Sequence, residues 1–147
     1  MRVSAKGEYA LLAMYELARD YGSTEVLTID QISHRQDIPH PFLVQILQDL
    51  KKAGLVESRR GAGGGYRLAI HPRDVSVGQV VRLIDGPVLP LKCFLSSNVS
   101  TCPRFGKCPI SYLWDDVRYA IEGVLDHTTF DDVLNGRHSP GFGPFSA

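Results

Sequence analysis

Three patterns in this 147-residue sequence predict a mainly α fold with a small β-hairpin wing. Two short helical segments flank a proline turn between residues 29 and 53, and two short strand patterns joined by a glycine run follow. A stripe of apolar residues at helical spacing then occupies residues 110–127. In chain order this is a winged helix-turn-helix followed by a long C-terminal helix.

Each element has a local reason. The first helix is expected from about Lys6 to Tyr21, where Leu11, Leu12, Met14, Tyr15, Leu17 and Ala18 make a broad apolar face. Tyr9, Leu12, Ala13, Glu16 and Leu17 do not form a perfect stripe, and Gly22 is expected to end the helix. Thr28 and Gln31 have the spacing of a capping box and open a short helix, Ile29 to Gln36. The run from Asp37 to Pro41 is a turn, with Pro41 suited to the first position of the next helix. That helix, about Pro41 to Ala53, is the most regular in the chain. Leu43, Ile46, Leu47 and Leu50 recur at i, i+3, i+4 and i+7, and Gly54 caps it.

Strand patterns at Leu55–Arg59 and Tyr66–Ala69 flank the run from Gly61 to Gly65, which reads as a hairpin tip. A further amphipathic helix is expected over Val75–Asp85, ended by Gly86 and Pro87. Residues 87–109 hold four prolines and all three cysteines and read as a long loop. The helix over Ile110–His127 carries Leu113, Trp114, Val117, Ala120, Ile121, Val124 and Leu125, a stripe too apolar for a helix lying alone. Thr128 or Thr129 caps a last short helix through Phe130, Val133 and Leu134. The expected division is therefore a winged helix-turn-helix over 1–86, a cysteine-containing loop over 87–109, a long helix that pairs with its copy and a short final helix over 110–135, and an unstructured tail over 136–147.

At 44% hydrophobic residues, the chain can bury a core without disulfide staples. No run approaches the roughly 18 apolar residues of a membrane span, and no apolar signal core follows the N-terminus. A cytoplasmic protein with no membrane partner is expected. Sixteen basic residues balance sixteen acidic ones, which argues against indiscriminate binding to polyanions. The charges are nonetheless segregated. Residues 51–73 hold Lys51, Lys52, Arg59, Arg60, Arg67 and Arg73 against Glu57 alone, while residues 115–132 are acidic apart from Arg118. Charge alone fits a phosphate-facing surface and two merely solvated faces equally well.

Order sharpens the reading. In a winged helix-turn-helix the second helix enters the major groove, about 12 Å wide, with its N-terminal residues at base edges. Here His40, Gln45 and Gln48 are placed to read bases, with Pro41 beside them at the helix start. Lys51 and Lys52, at the other end, suit phosphates. Arg59 and Arg60 lead into the tip at Gly61, where the absence of side chains permits close approach to the backbone of DNA. Arg59 suits a narrow minor groove, and Tyr66 completes the candidate contact set.

Cys93, Cys102 and Cys108 lie within sixteen residues, spaced C-x8-C-x5-C. An odd count disfavours a disulfide framework. Thiolates are soft ligands that suit an iron–sulfur cluster or zinc, and three free thiols open to redox chemistry are the alternative. Catalysis has little support: no Ser/His/Asp grouping, P-loop, dinucleotide fingerprint or C-x-x-C pair is present, and the five histidines are scattered. A winged helix that binds only protein is a further alternative, one that has no use for the basic wing.

The run from Met1 to Ala10, the wing run from Gly54 to Leu68 and the segment from Val75 to Val81 resemble the BadM-type, or IscR-like, bacterial winged-helix transcription regulators. The resemblance covers residues 1 to about 135. It implies a homodimer formed through the long C-terminal helix, bound to a near-palindromic double-stranded promoter site. It also implies that Cys93, Cys102 and Cys108 ligate an iron–sulfur cluster, 2Fe-2S, with 4Fe-4S as the alternative. Two departures stand out: the first cysteine gap is longer than in the best-known members, and Ser111 stands where those members place a histidine. Some relatives take the fourth ligand from an acidic residue at the start of the partner's first helix. Glu8 occupies that position here, ahead of His34, His40 and Ser111 as candidates.

Overall fold

The computed structural model describes residues 3–88, 103–104 and 106–138. Residues 1–2, the segments 89–102 and 139–147, and position 105 lie outside the described residues, and with them Cys93 and Cys102.

Helix α1 spans Ala5–Arg19; its N-cap is Ser4, whose hydroxyl accepts from the Gly7 amide at 2.9 Å. It ends at Asp20, two residues before Gly22. Helix α2 (Ile29–Gln36) opens on the expected capping box: Thr28 Oγ1 accepts from Gln31 N at 3.2 Å, and Thr28 N donates to Gln31 Oε1 at 2.8 Å. Asp37 then takes a left-handed conformation with φ 51°, and Ser33 Oγ donates to Ile38 O at 2.7 Å. This closes the turn into α3 (His40–Lys52). Pro39 is the N-cap of α3 and Pro41 sits second in the helix rather than first, one register later than the sequence suggested. The Pro39 carbonyl takes the amides of both Phe42 and Leu43, so Pro41 costs no hydrogen bond there.

Strands β1 (Val56–Arg59) and β2 (Gly65–Leu68) pair antiparallel with Val56 opposite Leu68 and Arg59 opposite Gly65. Leu27 exchanges both backbone hydrogen bonds with Tyr66, at 2.9 and 2.7 Å, and docks the hairpin onto the segment before α2. Gly65 is required at that junction, because a Cβ there would fall 2.4 Å from the Leu27 carbonyl oxygen.

A 3-10 turn at Pro72–Asp74 precedes α4 (Val77–Asp85), which starts two residues later than expected. Ser76 and Gln79 form a second capping box. Helix α5 spans Ser111–His127, and α6 spans Phe130–Leu134, capped by Thr129. After α5 the chain returns to the head: Val77 N donates to Thr128 O at 2.8 Å and Phe130 N to Val75 O at 3.1 Å.

The core draws on both ends of the chain. Ala10, Ala13, Met14 and Leu17 of α1, Ile32 of α2, the α3 stripe of Leu43, Ile46, Leu47 and Leu50, Val80 of α4 and Phe130 are all buried together. Helix α5 is different: none of its 17 residues is buried, and Leu113 is 46% exposed. Among the described residues no helix is long and apolar enough to cross a membrane.

Candidate nucleic-acid interface and the cysteine segment

With Leu43, Ile46, Leu47 and Leu50 committed to the core, helical geometry turns the other face of α3 outward. His40, Pro41, Gln45, Gln48, Lys51 and Lys52 are all exposed on it. His40 Nε2 lies 3.3 Å from Asp30 Oδ1 at the surface, which steadies the ring at the N-terminal end of the helix. Phe42, 45% exposed, meets Tyr9 of α1 edge-on at 5.7 Å and props that same end. Lys51 Nζ donates to Ser58 Oγ at 2.5 Å, tying the C-terminal end of α3 to the first wing strand.

In the wing, Arg67 pairs with Glu57 across the strands. Arg59, Arg60 and Gly61 are exposed at the tip end, and Gly61 has φ 97°. Tyr66 is half-buried, its backbone spent on Leu27. The candidate contact residues thus fall on two neighbouring elements, α3 and the hairpin, joined by Lys51.

Contacts that hold the reading helix in place were not legible as such. Lys6 Nζ donates to Asp49 Oδ2 of α3 at 2.8 Å. Glu16, 1% exposed, accepts from Gln36 Nε2 at 2.5 Å and from Arg35 Nη1 at 3.3 Å, and meets Arg19 Nη2 at 2.7 Å, fastening α1 to α2. Hydrogen bonds from Arg35 to Asp20 and Glu16 raise its pKa and hold its charge. The interruption of the α1 stripe by Glu16 was the available signal, since a carboxylate on an apolar face needs partners.

Cys108 carries a free, half-buried thiol three residues before α5. Ser111 Oγ donates to the Cys108 carbonyl at 3.1 Å. Glu8 is exposed in the first turn of α1, its amide bonded to Ser4 O at 2.9 Å. Among the described residues no three His, Cys, Asp or Glu side chains gather as a metal site.

The Rrf2 family profile, described as an iron-dependent transcriptional regulator, matches residues 3–136. An rrf2-like HTH-type regulator of Rhodobacter capsulatus is 40% identical, over 90% of this chain and 91% of its own length. The HTH-type regulator IscR of Photobacterium profundum is 37% identical, over 91% of this chain and 76% of its own. Of solved structures, CymR, the global cysteine regulator of B. subtilis, superposes with a TM-score of 0.76 at 32% identity, covering 92% of this chain and 98% of that one. IscR of T. potens superposes with a TM-score of 0.71 at 35% identity, covering 97% and 93%. With its helix-turn-helix, its wing and this match along nearly its whole described length, the chain belongs to the Rrf2 family of DNA-binding transcriptional regulators.

Proposed function

We propose that this regulator acts in the cytoplasm as a homodimer on a near-palindromic promoter site, its DNA affinity set by an iron–sulfur cluster at Cys93, Cys102 and Cys108, with Glu8 of the partner subunit as fourth ligand. The observation that carries this reading is the placement of Cys108 at the foot of an unburied apolar helix. Helix α5 presents Tyr112, Leu113 and Tyr119 to solvent in the single chain, and a second copy of the same helix is the apolar surface of matching length. A change at the cysteines then lies next to the element that spaces the two reading heads.

The donor set fits the cluster. Thiolates are the ligands such clusters take, and the Cys108 thiol is unbridged. Glu8, exposed in the first turn of α1, is taken as the remaining donor, ahead of His34, His40 and Ser111. When bound, the cluster supplies electron exchange and a bond from the loop to its fourth ligand. The rest of the action belongs to the chain: His40, Gln45 and Gln48 read bases, Arg59 enters the minor groove, and Lys51 and Arg60 neutralise phosphates.

The test is an absorption spectrum of anaerobically purified protein with iron and sulfide counts, alongside sedimentation. Cluster absorption lost in Cys93→Ala, Cys102→Ala and Cys108→Ala supports the reading; zinc without iron or sulfide overturns it. Leu113→Glu should give monomers that no longer bind tightly, and a persisting dimer removes α5 as the interface. A second reading, redox-active free thiols in the same segment, is favoured by one observation. The structure described as the oxidized form of CymR of Staphylococcus aureus superposes with a TM-score of 0.70 at 31% identity.

A further inference from the structure

The first turn of α1 is held from both sides. On one side Asp85, the last residue of α4, accepts from Ser4 N at 2.8 Å and from Ser4 Oγ at 2.5 Å. Ser4 in turn caps α1 through Gly7 N. On the other side, two residues along, Lys6 reaches Asp49 of α3. These links join groups 81 and 43 residues apart in sequence, so neither is a by-product of local chain geometry. Gly7 makes the first possible: a Cβ there would lie 2.4 Å from Asp85 Oδ2 and 2.9 Å from its carboxyl carbon. Glycine inside a helix is destabilising relative to alanine. Here that cost admits the carboxylate that holds Ser4.

Three residues before Asp85, in the same last turn, α4 is tied to α5, where Arg82 Nη2 donates to Asp126 Oδ1 at 2.5 Å. The polar path therefore runs from α3 through Asp49 and Lys6, back two residues to Ser4, across to Asp85, and within the last turn of α4 through Arg82 to Asp126 of α5. We propose that Ser4, Lys6 and Asp85 are positioning residues for DNA reading: a strut that fixes the angle of α3 relative to α4 and α5, and so matches the reading helix to its half-site. The proposal rests on the dimer reading above for the role of α5. It assigns the three residues no contact with DNA bases.

A misplaced α3 loses base contacts while keeping the charge that binds any duplex, so the readout is the ratio of specific to non-specific affinity. The probes are a duplex selected from a random-sequence library by the parent protein and a scrambled duplex of equal length, both at one salt concentration. Gly7→Ala and Asp85→Asn, checked for folding by circular dichroism and for assembly by sedimentation, should each lose about tenfold on the selected duplex, the net worth of one hydrogen bond, with no loss on the scrambled one. Gly7→Ala keeps the test alive if Asp85→Asn does not fold, because alanine favours the helix while displacing the carboxylate. Lys6→Asp should lose affinity on the selected duplex, and Lys6→Asp with Asp49→Lys should recover it. Selected-duplex affinity within about twofold of the parent in both Gly7→Ala and Asp85→Asn, or equal losses on both duplexes, overturns the proposal. A parent that sediments as a monomer removes the dimer reading instead, while the affinity ratios still report on the strut within one head.

Discussion

Arg82 of α4 and Asp126 of α5 meet at 2.5 Å over Gly78, where a Cβ would stand 2.1 Å from the same Asp126 oxygen. The ion pair and a side chain at position 78 therefore compete for one space. Gly78→Ala should be close to neutral by chemical denaturation: a helix-propensity gain of about 0.5–1 kcal/mol is set against the displaced pair. The pair itself is about one-third exposed on each side and is worth no more than about 1 kcal/mol. In an Asp126→Ala background the competition is gone, and the same Gly78→Ala should stabilise. Equal effects in the two backgrounds would show that the two positions do not interact.

Glu16 is the buried charge of the head. Glu16→Ala removes the acceptor shared by Gln36, Arg35 and Arg19 and leaves a gap beneath α2. We expect a loss of about 1–3 kcal/mol in urea unfolding, below the value for a fully buried pair because Arg19 and Arg35 keep partial access to water. A change under about 0.5 kcal/mol would mean that the desolvation of Glu16 cancels its bonds.

The DNA face can be divided by salt. Arg59→Ala and Gln45→Ala should each weaken binding to the selected duplex by about 1–3 kcal/mol with the fold intact. Lys51→Ala should instead lower the dependence of log affinity on log salt by about 0.9, one phosphate's share. Titrations at several salt concentrations distinguish the two. Unchanged affinity in both Arg59→Ala and Gln45→Ala would take these residues out of the interface.

Asp132 sets a pH dependence at α6. The Thr129 hydroxyl first, then the Thr129 amide, hold its carboxyl below the ordinary range; burial opposes them, and Arg137 adds to the lowering. A carboxyl whose pKa is lowered by folding stabilises the folded state above its unfolded value, about 3.9. That contribution disappears as pH falls through the lower folded value. Asp132→Asn should therefore melt earlier than the parent near neutral pH, with the gap closing in acid, as thermal melts between roughly pH 2 and 7 would record. A gap independent of pH would mean that the charge of Asp132 plays no part.

Period and punctuation carried most of the head. Leu43, Ile46, Leu47 and Leu50 announce α3, and Thr28 with Gln31 announce the start of α2, because both signals lie within about one or two helical turns of chain. The same kind of signal stands at Ser76 and Gln79, whose capping box starts α4 at Val77 rather than at Val75. The outward face of α3 followed from its inward one. The cysteine spacing was visible too, although of the three thiols Cys108 alone falls among the described residues.

What the sequence determined by itself was thus the order of elements, the side of α3 that faces out, and the grouping of cysteines before an apolar helix. Tertiary structure alone decided which polar groups meet: Glu16 with Gln36, Ser4 with Asp85, Lys6 with Asp49, and Phe130 in a core begun more than a hundred residues earlier. The reason is physical. Burial leaves a periodic trace along a helix or strand, but a hydrogen bond between distant segments needs one donor and one acceptor at a single point in space, and no repeat in the sequence marks the pair.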